Sequence, residues 1–263
     1  MKKKIIKILN KRYYKPISCL TAYSASVAKI LDGRVDMILI GDSLGSTLYN
    51  MKNTQGVTLE MMKLHGKIVR KNVSSSVTIL DMPYKTYSNK STALNNAKKL
   101  LEFTKVKMLK IEVNYKNLDI LKYLSSKNIN IIAHIGVTPQ SFKDFRKIKI
   151  VGKTHKEKKD LITLALNAES AGAKCILLEC VSTETAREIT RKVKIPTIGI
   201  GSSKFCDGQV LVFDDFINTD NNNKMPKFVK NYLNFARIAK KAVKDFDNEV
   251  KVGKFPSNKY SYK

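Results

Sequence analysis

Short apolar runs bounded by turn residues recur along the chain: Ile17 to Leu20, Met37 to Ile40, Val77 to Leu80, Met108 to Val113, Ile129 to Ile135, Cys175 to Leu178, Thr197 to Ile200 and Val210 to Phe213. Each is of strand length and nearly free of polar alternation, which predicts eight strands buried on both faces. Between most of them the apolar positions change to helical spacing, as at Ala93, Ala97, Leu100 and Leu101, at Leu161, Leu164, Ala165 and Ala168, and at Val229, Tyr232, Leu233 and Ala236. Parallel strands cannot be joined by a tight turn, so this alternation calls for crossover helices. Eight strands within 263 residues predict an α/β fold of the (β/α)8 TIM-barrel type. The expected organisation is a single domain over 1–263, with a short N-terminal helix at about 1–12 and a loosely ordered tail at about 255–263. A doubly wound sheet often carries a glycine-rich loop after its first strand. Here the first run leads into Thr21-Ala22-Tyr23-Ser24 instead.

The polar residues that interrupt these runs share an address, the C-terminal end of a strand. Asp42 and Ser43 follow Ile38-Leu39-Ile40-Gly41, Asp81 follows Val77-Thr78-Ile79-Leu80, His134 follows Ile131-Ile132-Ala133, and Glu179 follows Cys175-Ile176-Leu177-Leu178. Lys110 and Glu112 alternate with Leu109, Ile111 and Val113, so both point to one face while Ile111 turns to the helical layer. In a barrel these positions converge on one rim, where active sites of this architecture form. Charges facing inward there must be paired or bound to a metal. Asp42, Asp81 and Glu112 offer oxygen ligands only, which favours a hard cation such as Mg2+ over zinc. Such an ion leaves positions for a chelating 2-oxo acid and can stabilise its enolate. Glu179 is the candidate base, since its apolar approach can raise a carboxylate pKa.

Charge alters this picture little. Lys and Arg outnumber Asp and Glu 49 to 22, a formal charge of +27, but the lysines are spread over almost every segment. Without clustering or a recognised motif, a specific nucleic-acid role is not expected, and the densest run, Lys143 to Lys159, reads as a solvated loop. No run of about 18 apolar residues suggests a membrane span. The N-terminal lysines are followed by too short an apolar run for an export signal. Four cysteines without C-x-x-C spacing fit reduced thiols in a cytoplasm. A non-catalytic basic barrel that binds nucleic acid is the alternative from another class; five inward-facing ionisable groups argue against it.

Taken together, the strings resemble the ketopantoate hydroxymethyltransferase family. They run in order through Leu20-Thr21-Ala22-Tyr23, Gly41-Asp42-Ser43-Leu44-Gly45, Asp81-Met82-Pro83-Tyr84, Lys110-Ile111-Glu112 and His134-Ile135-Gly136-Val137-Thr138-Pro139-Gln140. They continue through Leu178-Glu179-Cys180-Val181, Ile195-Pro196-Thr197-Ile198-Gly199-Ile200-Gly201 and Cys206-Asp207-Gly208-Gln209-Val210-Leu211-Val212. The resemblance implies transfer of a one-carbon unit from 5,10-methylenetetrahydrofolate to 3-methyl-2-oxobutanoate in pantothenate biosynthesis, giving 2-dehydropantoate. It also implies Mg2+ held by Asp42, Asp81 and Glu112, directly or through water. Ser43 and Lys110 then contact the substrate carboxylate, His134 orients the substrate, Glu179 accepts the proton, and the assembly is a cytoplasmic homodecamer. The chain departs from the family pattern at Ser24, at Val113-Asn114-Tyr115, at Phe142 to Arg146 and at Gly201-Ser202-Ser203. The nearest alternative enzyme is a Mg2+-dependent barrel of the phosphoenolpyruvate mutase and isocitrate lyase type, which typically has a loop cysteine with no assignable counterpart here.

Overall fold

The computed structural model describes residues 8–10, 15–142, 149–220 and 225–262. By their contacts they form two compact units, one ending at Val212 and one starting at Phe213. The first is a closed barrel of eight parallel strands in sequence order, β1 to β8. The elements in chain order are β1 (Ile17–Thr21), α1 (Ala25–Leu31), β2 (Met37–Ile40), α2 (Leu44–Tyr49), α3 (Leu59–Lys71), β3 (Val77–Asp81), α4 (Lys90–Thr104) and β4 (Met108–Glu112). Then come α5 (Leu118–Ser126), β5 (Ile131–Gly136), α6 (His155–Ser170), β6 (Cys175–Glu179), α7 (Thr183–Lys192), β7 (Thr197–Ile200) and β8 (Gly208–Leu211). No helix separates β7 from β8.

Local chemistry starts the helices. The hydroxyls of Ser24 and Thr58 accept from the backbone N–H groups of Val27 and Met61, and Thr154 with Glu157 forms a reciprocal capping box. Ser24, which departs from the family pattern, thus opens α1. Inside the barrel the lower layers are apolar, with Ile17, Met37, Val77, Met108, Cys175 and Ile198 in one buried cluster. Polar side chains take over only at the C-terminal ends of the strands. Strand register brings Asp81 opposite Lys110, Glu112 opposite His134, and Gly136 opposite Glu179. Gly136 has φ +102°, and a Cβ there would collide with the Glu179 carbonyl oxygen, so β5 approaches β6 closely only as glycine.

Several sequence expectations need correction. The eighth strand begins at Gly208 rather than Val210: a Cβ at 208 would lie 2.6 Å from the Ile17 carbonyl oxygen where the barrel closes, so the position is glycine and adds nothing to the apolar run. Phe213 starts a helix instead of ending that strand. The run Lys143 to Lys159 is not all loop: its end, from His155, is helical, while residues 143–148 lie outside the described residues. The expected N-terminal helix lies mostly outside them too; Ile8 and Leu9 are helical and pack on the barrel's interior cluster.

The second unit contains α8 (Phe213–Ile217) and α9 (Phe235–Lys251). The helical spacing at Val229 to Ala236 is not realised before Phe235, because Asn234 caps α9 through the Arg237 N–H and Tyr232 instead stacks on Phe216, with ring centroids 4.6 Å apart. Residues 255–262 are exposed, with a 3-10 turn at Asn258–Tyr260 and Phe255 packed between the rings of Phe246 and Tyr260, and 221–224 lie outside the described residues. No helix among the described residues is long and apolar enough to cross a membrane.

Candidate active site

Alternation along β3 to β6 sends Asp81, Lys110, Glu112, His134 and Glu179 into the mouth of the barrel. Asp81, Lys110, Glu112 and His134 are buried, whereas the Glu179 side chain is a fifth exposed. Lys110 Nζ lies 3.0 Å from Asp81 Oδ2 and 3.4 Å from His134 Nδ1. An ammonium can only donate, so Nδ1 is the acceptor and the imidazole proton sits on Nε2. That nitrogen lies 3.2 Å from Glu179 Oε2, at an angle short of a full hydrogen bond. Burial, with the Lys110 charge beside it, lowers the His134 pKa and keeps the ring neutral. Burial disfavours the Lys110 charge, but Asp81, Asp42 and Glu112 more than offset this and hold the ammonium protonated. The result is one connected row, Asp81–Lys110–His134–Glu179.

Asp42 and Ser43 enter from the turn after β2. The Asp42 backbone N–H donates to Asp81 Oδ2 over 3.0 Å, and the Tyr23 and Ser43 hydroxyls are 2.7 Å apart. Gly41 leaves a cradle between them: a Cβ there would stand 2.9 Å from Ser43 Oγ and 3.5 Å from Asp81 Oδ2. The structure therefore brings all seven sequence-expected residues to the same end of the barrel, six of them in one polar network and Ser43 at its edge. Two further members were not singled out from the sequence. Gln140, after β5, donates through Nε2 to Asp42 Oδ2 over 2.7 Å and through its backbone N–H to Glu112 Oε1 over 2.9 Å. Tyr87 donates its hydroxyl to Gln140 Oε1 over 2.5 Å. The signal for Gln140 was its place in the string after His134; nothing local marked Tyr87.

The donor set has the chemistry of a hard-cation site. Asp81 Oδ1 is buried with no hydrogen-bond partner. Burial, followed by the charge of Asp42, pushes Glu112 up to about 9, and burial likewise raises Asp81 despite Lys110. Uncompensated carboxylates of this kind are what a divalent ion would relieve. Among the described residues no three His, Cys, Asp or Glu side chains close around a point able to hold a metal. Any ion here would therefore be held partly through water or substrate.

A parallel barrel with carboxylates, a lysine and a histidine gathered at the C-terminal rim defines a (β/α)8-barrel enzyme. Solved structures agree on the fold alone. A phosphonopyruvate hydrolase is similar at TM-score 0.63 with 12% identity, covering 98% of this chain and 92% of that one. A 2,3-dimethylmalate lyase of the phosphoenolpyruvate mutase/isocitrate lyase superfamily is similar at TM-score 0.62 with 12% identity, covering 98% and 90%. Sequence comparison is more specific. The family model for ketopantoate hydroxymethyltransferase matches residues 2–258. The 3-methyl-2-oxobutanoate hydroxymethyltransferase of Pelagibacter ubique is 44% identical over 262 residues, all of both chains, and that of Anaplasma marginale (strain St. Maries) is 38% identical over 98% of this chain and 92% of the relative. The chain belongs to the ketopantoate hydroxymethyltransferase family and is a hydroxymethyltransferase.

Proposed function

We propose that the protein transfers a hydroxymethyl group from 5,10-methylenetetrahydrofolate to 3-methyl-2-oxobutanoate, with Mg2+ held at the acidic side of the barrel mouth. The observation that carries this reading is the row Asp81–Lys110–His134–Glu179, which sets a partly exposed carboxylate one imidazole away from a charged ammonium that pairs with a cation-competent carboxylate. Asp42 and Asp81, with Glu112 through water, would hold the ion. When bound, it would supply Lewis-acid stabilisation of the negative charge that develops on the 2-oxo oxygen. Ser43 and Lys110 would orient the substrate carboxylate. Water hydrolyses the two C–N bonds of the folate methylene, releasing tetrahydrofolate and a one-carbon unit at the formaldehyde level; Glu179 removes the proton from C3, the electron pair left on carbon attacks that carbonyl carbon, and its oxygen takes up a proton to become the hydroxyl of 2-dehydropantoate. His134, whose Nε2 stands 3.2 Å from Glu179 Oε2, would orient the substrate beside that carboxylate without itself taking the proton.

The excess positive charge suits two anionic substrates. A cavity of about 300 Å³ beside Glu112 and Gln140, edged by Lys85 and Lys116, offers a cationic flank for the folate carboxylates. We place the enzyme in the cytoplasm, since its four cysteines are buried free thiols. We also infer a homo-oligomer, because α9 leaves Ile238, Val243, Phe246 and Val250 exposed; light scattering that gives a monomer mass would contradict it. Purified protein supplied with both substrates should form 2-dehydropantoate only when Mg2+ is present. Undiminished product after exhaustive chelation would overturn the metal assignment, and no product under any condition would overturn the reaction.

A further inference from the structure

We propose that Gln140 is the positioning residue of the acidic half of the site: a single residue that clamps the Asp42 and Glu112 carboxylates at fixed separation and so presets cation binding. The inference rests on the Mg2+ reading above. Every polar group of Gln140 is engaged. Nε2 donates to Asp42 Oδ2 over 2.7 Å and to the Met82 carbonyl over 3.1 Å, and Oε1 accepts from the Tyr87 hydroxyl. The backbone N–H donates to Glu112 Oε1 over 2.9 Å, and the carbonyl accepts from Gln55 Nε2 over 2.9 Å. The side chain is buried, 3% exposed, so none of these bonds is traded freely for water.

The amide orientation is fixed by its partners. Met82 offers only a carbonyl acceptor, and the Tyr87 hydroxyl accepts from the Glu112 backbone N–H over 3.3 Å, which directs its own proton to Gln140 Oε1. Nε2 must therefore face Asp42. Two carboxylates that repel each other are thereby each given a donor from the same residue, on a turn, Pro139–Ser141, that follows β5 directly. A glutamate would replace the donor with an acceptor aimed at Asp42 and the Met82 carbonyl. A leucine would keep the bulk and delete the side-chain bonds, but retain the backbone bond to Glu112. Tyr87→Phe would remove the bond that holds Oε1, and so one of the constraints on the amide, without touching either carboxylate directly.

The test is Mg2+ binding by isothermal titration calorimetry, with no substrate present, on the full-length wild type and on Gln140→Leu, Gln140→Glu and Tyr87→Phe, each checked by circular dichroism. The wild type should bind, Gln140→Leu should bind at least tenfold more weakly, and Tyr87→Phe should show a smaller loss of about threefold. The KM for the 2-oxo acid should rise with the Mg2+ dissociation constant. A folded Gln140→Leu that binds Mg2+ within twofold of wild type overturns the clamp while leaving the Mg2+ reading intact. Should both Gln140 variants fail to fold, unchanged binding in Tyr87→Phe overturns it. A wild type that binds no Mg2+ removes the reading on which the clamp rests, and the clamp with it.

Discussion

Replacing Lys110 by methionine keeps the length and bulk of the side chain and removes one charge from a closed network. Lys110 Nζ and Asp81 Oδ2 are 3.0 Å apart, with side chains 7% and 2% exposed. At an effective dielectric near 20, that separation corresponds to an attraction of about 5–6 kcal/mol. Burying both ions consumes much of it, so the pair itself adds little net stability. Removing one member is different, because Asp81 is then a buried charge with no opposite charge beside it, and the cost is about 3–5 kcal/mol. For a chain of this size, each kcal/mol moves the midpoint by about 2–4 °C, giving a predicted fall of about 6–20 °C. Asp81 can escape by taking up a proton. Its folded pKa is already raised, and losing Lys110 raises it further. The stability of a protonated carboxyl is present at low pH and is lost as pH rises through that folded value. Metal-free Lys110→Met should therefore lie near wild type at pH 5.5 and fall increasingly below it as pH rises from about 7 through 8 toward 9, followed by differential scanning fluorimetry or urea denaturation. The double variant Lys110→Met with Asp81→Leu should recover most of the loss. Equal stability of the single variant and wild type at pH 8, or a larger deficit at pH 5.5, would refute the reasoning.

Because burial and Asp42 hold Glu112 up to about 9, cation binding near pH 7.5 should expel protons. Calorimetry of Mg2+ binding in two buffers of different ionisation enthalpy should give different apparent heats, and affinity should rise from pH 7 toward 9; buffer-independent heats would contradict this. Gly41→Ala would place a methyl group 2.9 Å from Ser43 Oγ, in the cradle between that hydroxyl and Asp81. Its KM for the 2-oxo acid should rise about tenfold, or roughly 1.4 kcal/mol, without loss of folded structure. An unchanged KM would mean that the cradle holds no part of the substrate.

What the sequence discloses follows from how a parallel barrel buries its strands. Met37 to Ile40 and Cys175 to Leu178 are covered on both faces, so they stand out as unbroken apolar runs. The same burial makes Lys110, Glu112 and His134 conspicuous, since an inward charge among such residues has no packing purpose. The eighth strand was misplaced because its inward positions include Gly208, needed for close approach to Ile17, and its exposed Gln209 carries no hydrophobic signal. Tyr232 and Leu233 have helical spacing yet lie before α9, where Asn234 supplies the cap. Gln140 and Tyr87 have places in the carboxylate network that are not legible in the sequence, for another reason. They are 53 residues apart, and their roles arise only when the segments after β3 and β5 fold over the same carboxylates.

Glu179, as the group that removes the C3 proton, is the centre of the proposed mechanism. The decisive measurement is proton NMR of 3-methyl-2-oxobutanoate in deuterated buffer with Mg2+ and without folate, comparing wild type with Glu179→Gln, a change that preserves size and abolishes basicity. Wild type should exchange the C3 proton for deuterium, and the variant should slow that exchange by at least a hundredfold while still binding Mg2+. Exchange at the wild-type rate in Glu179→Gln would show that the proton leaves to another group.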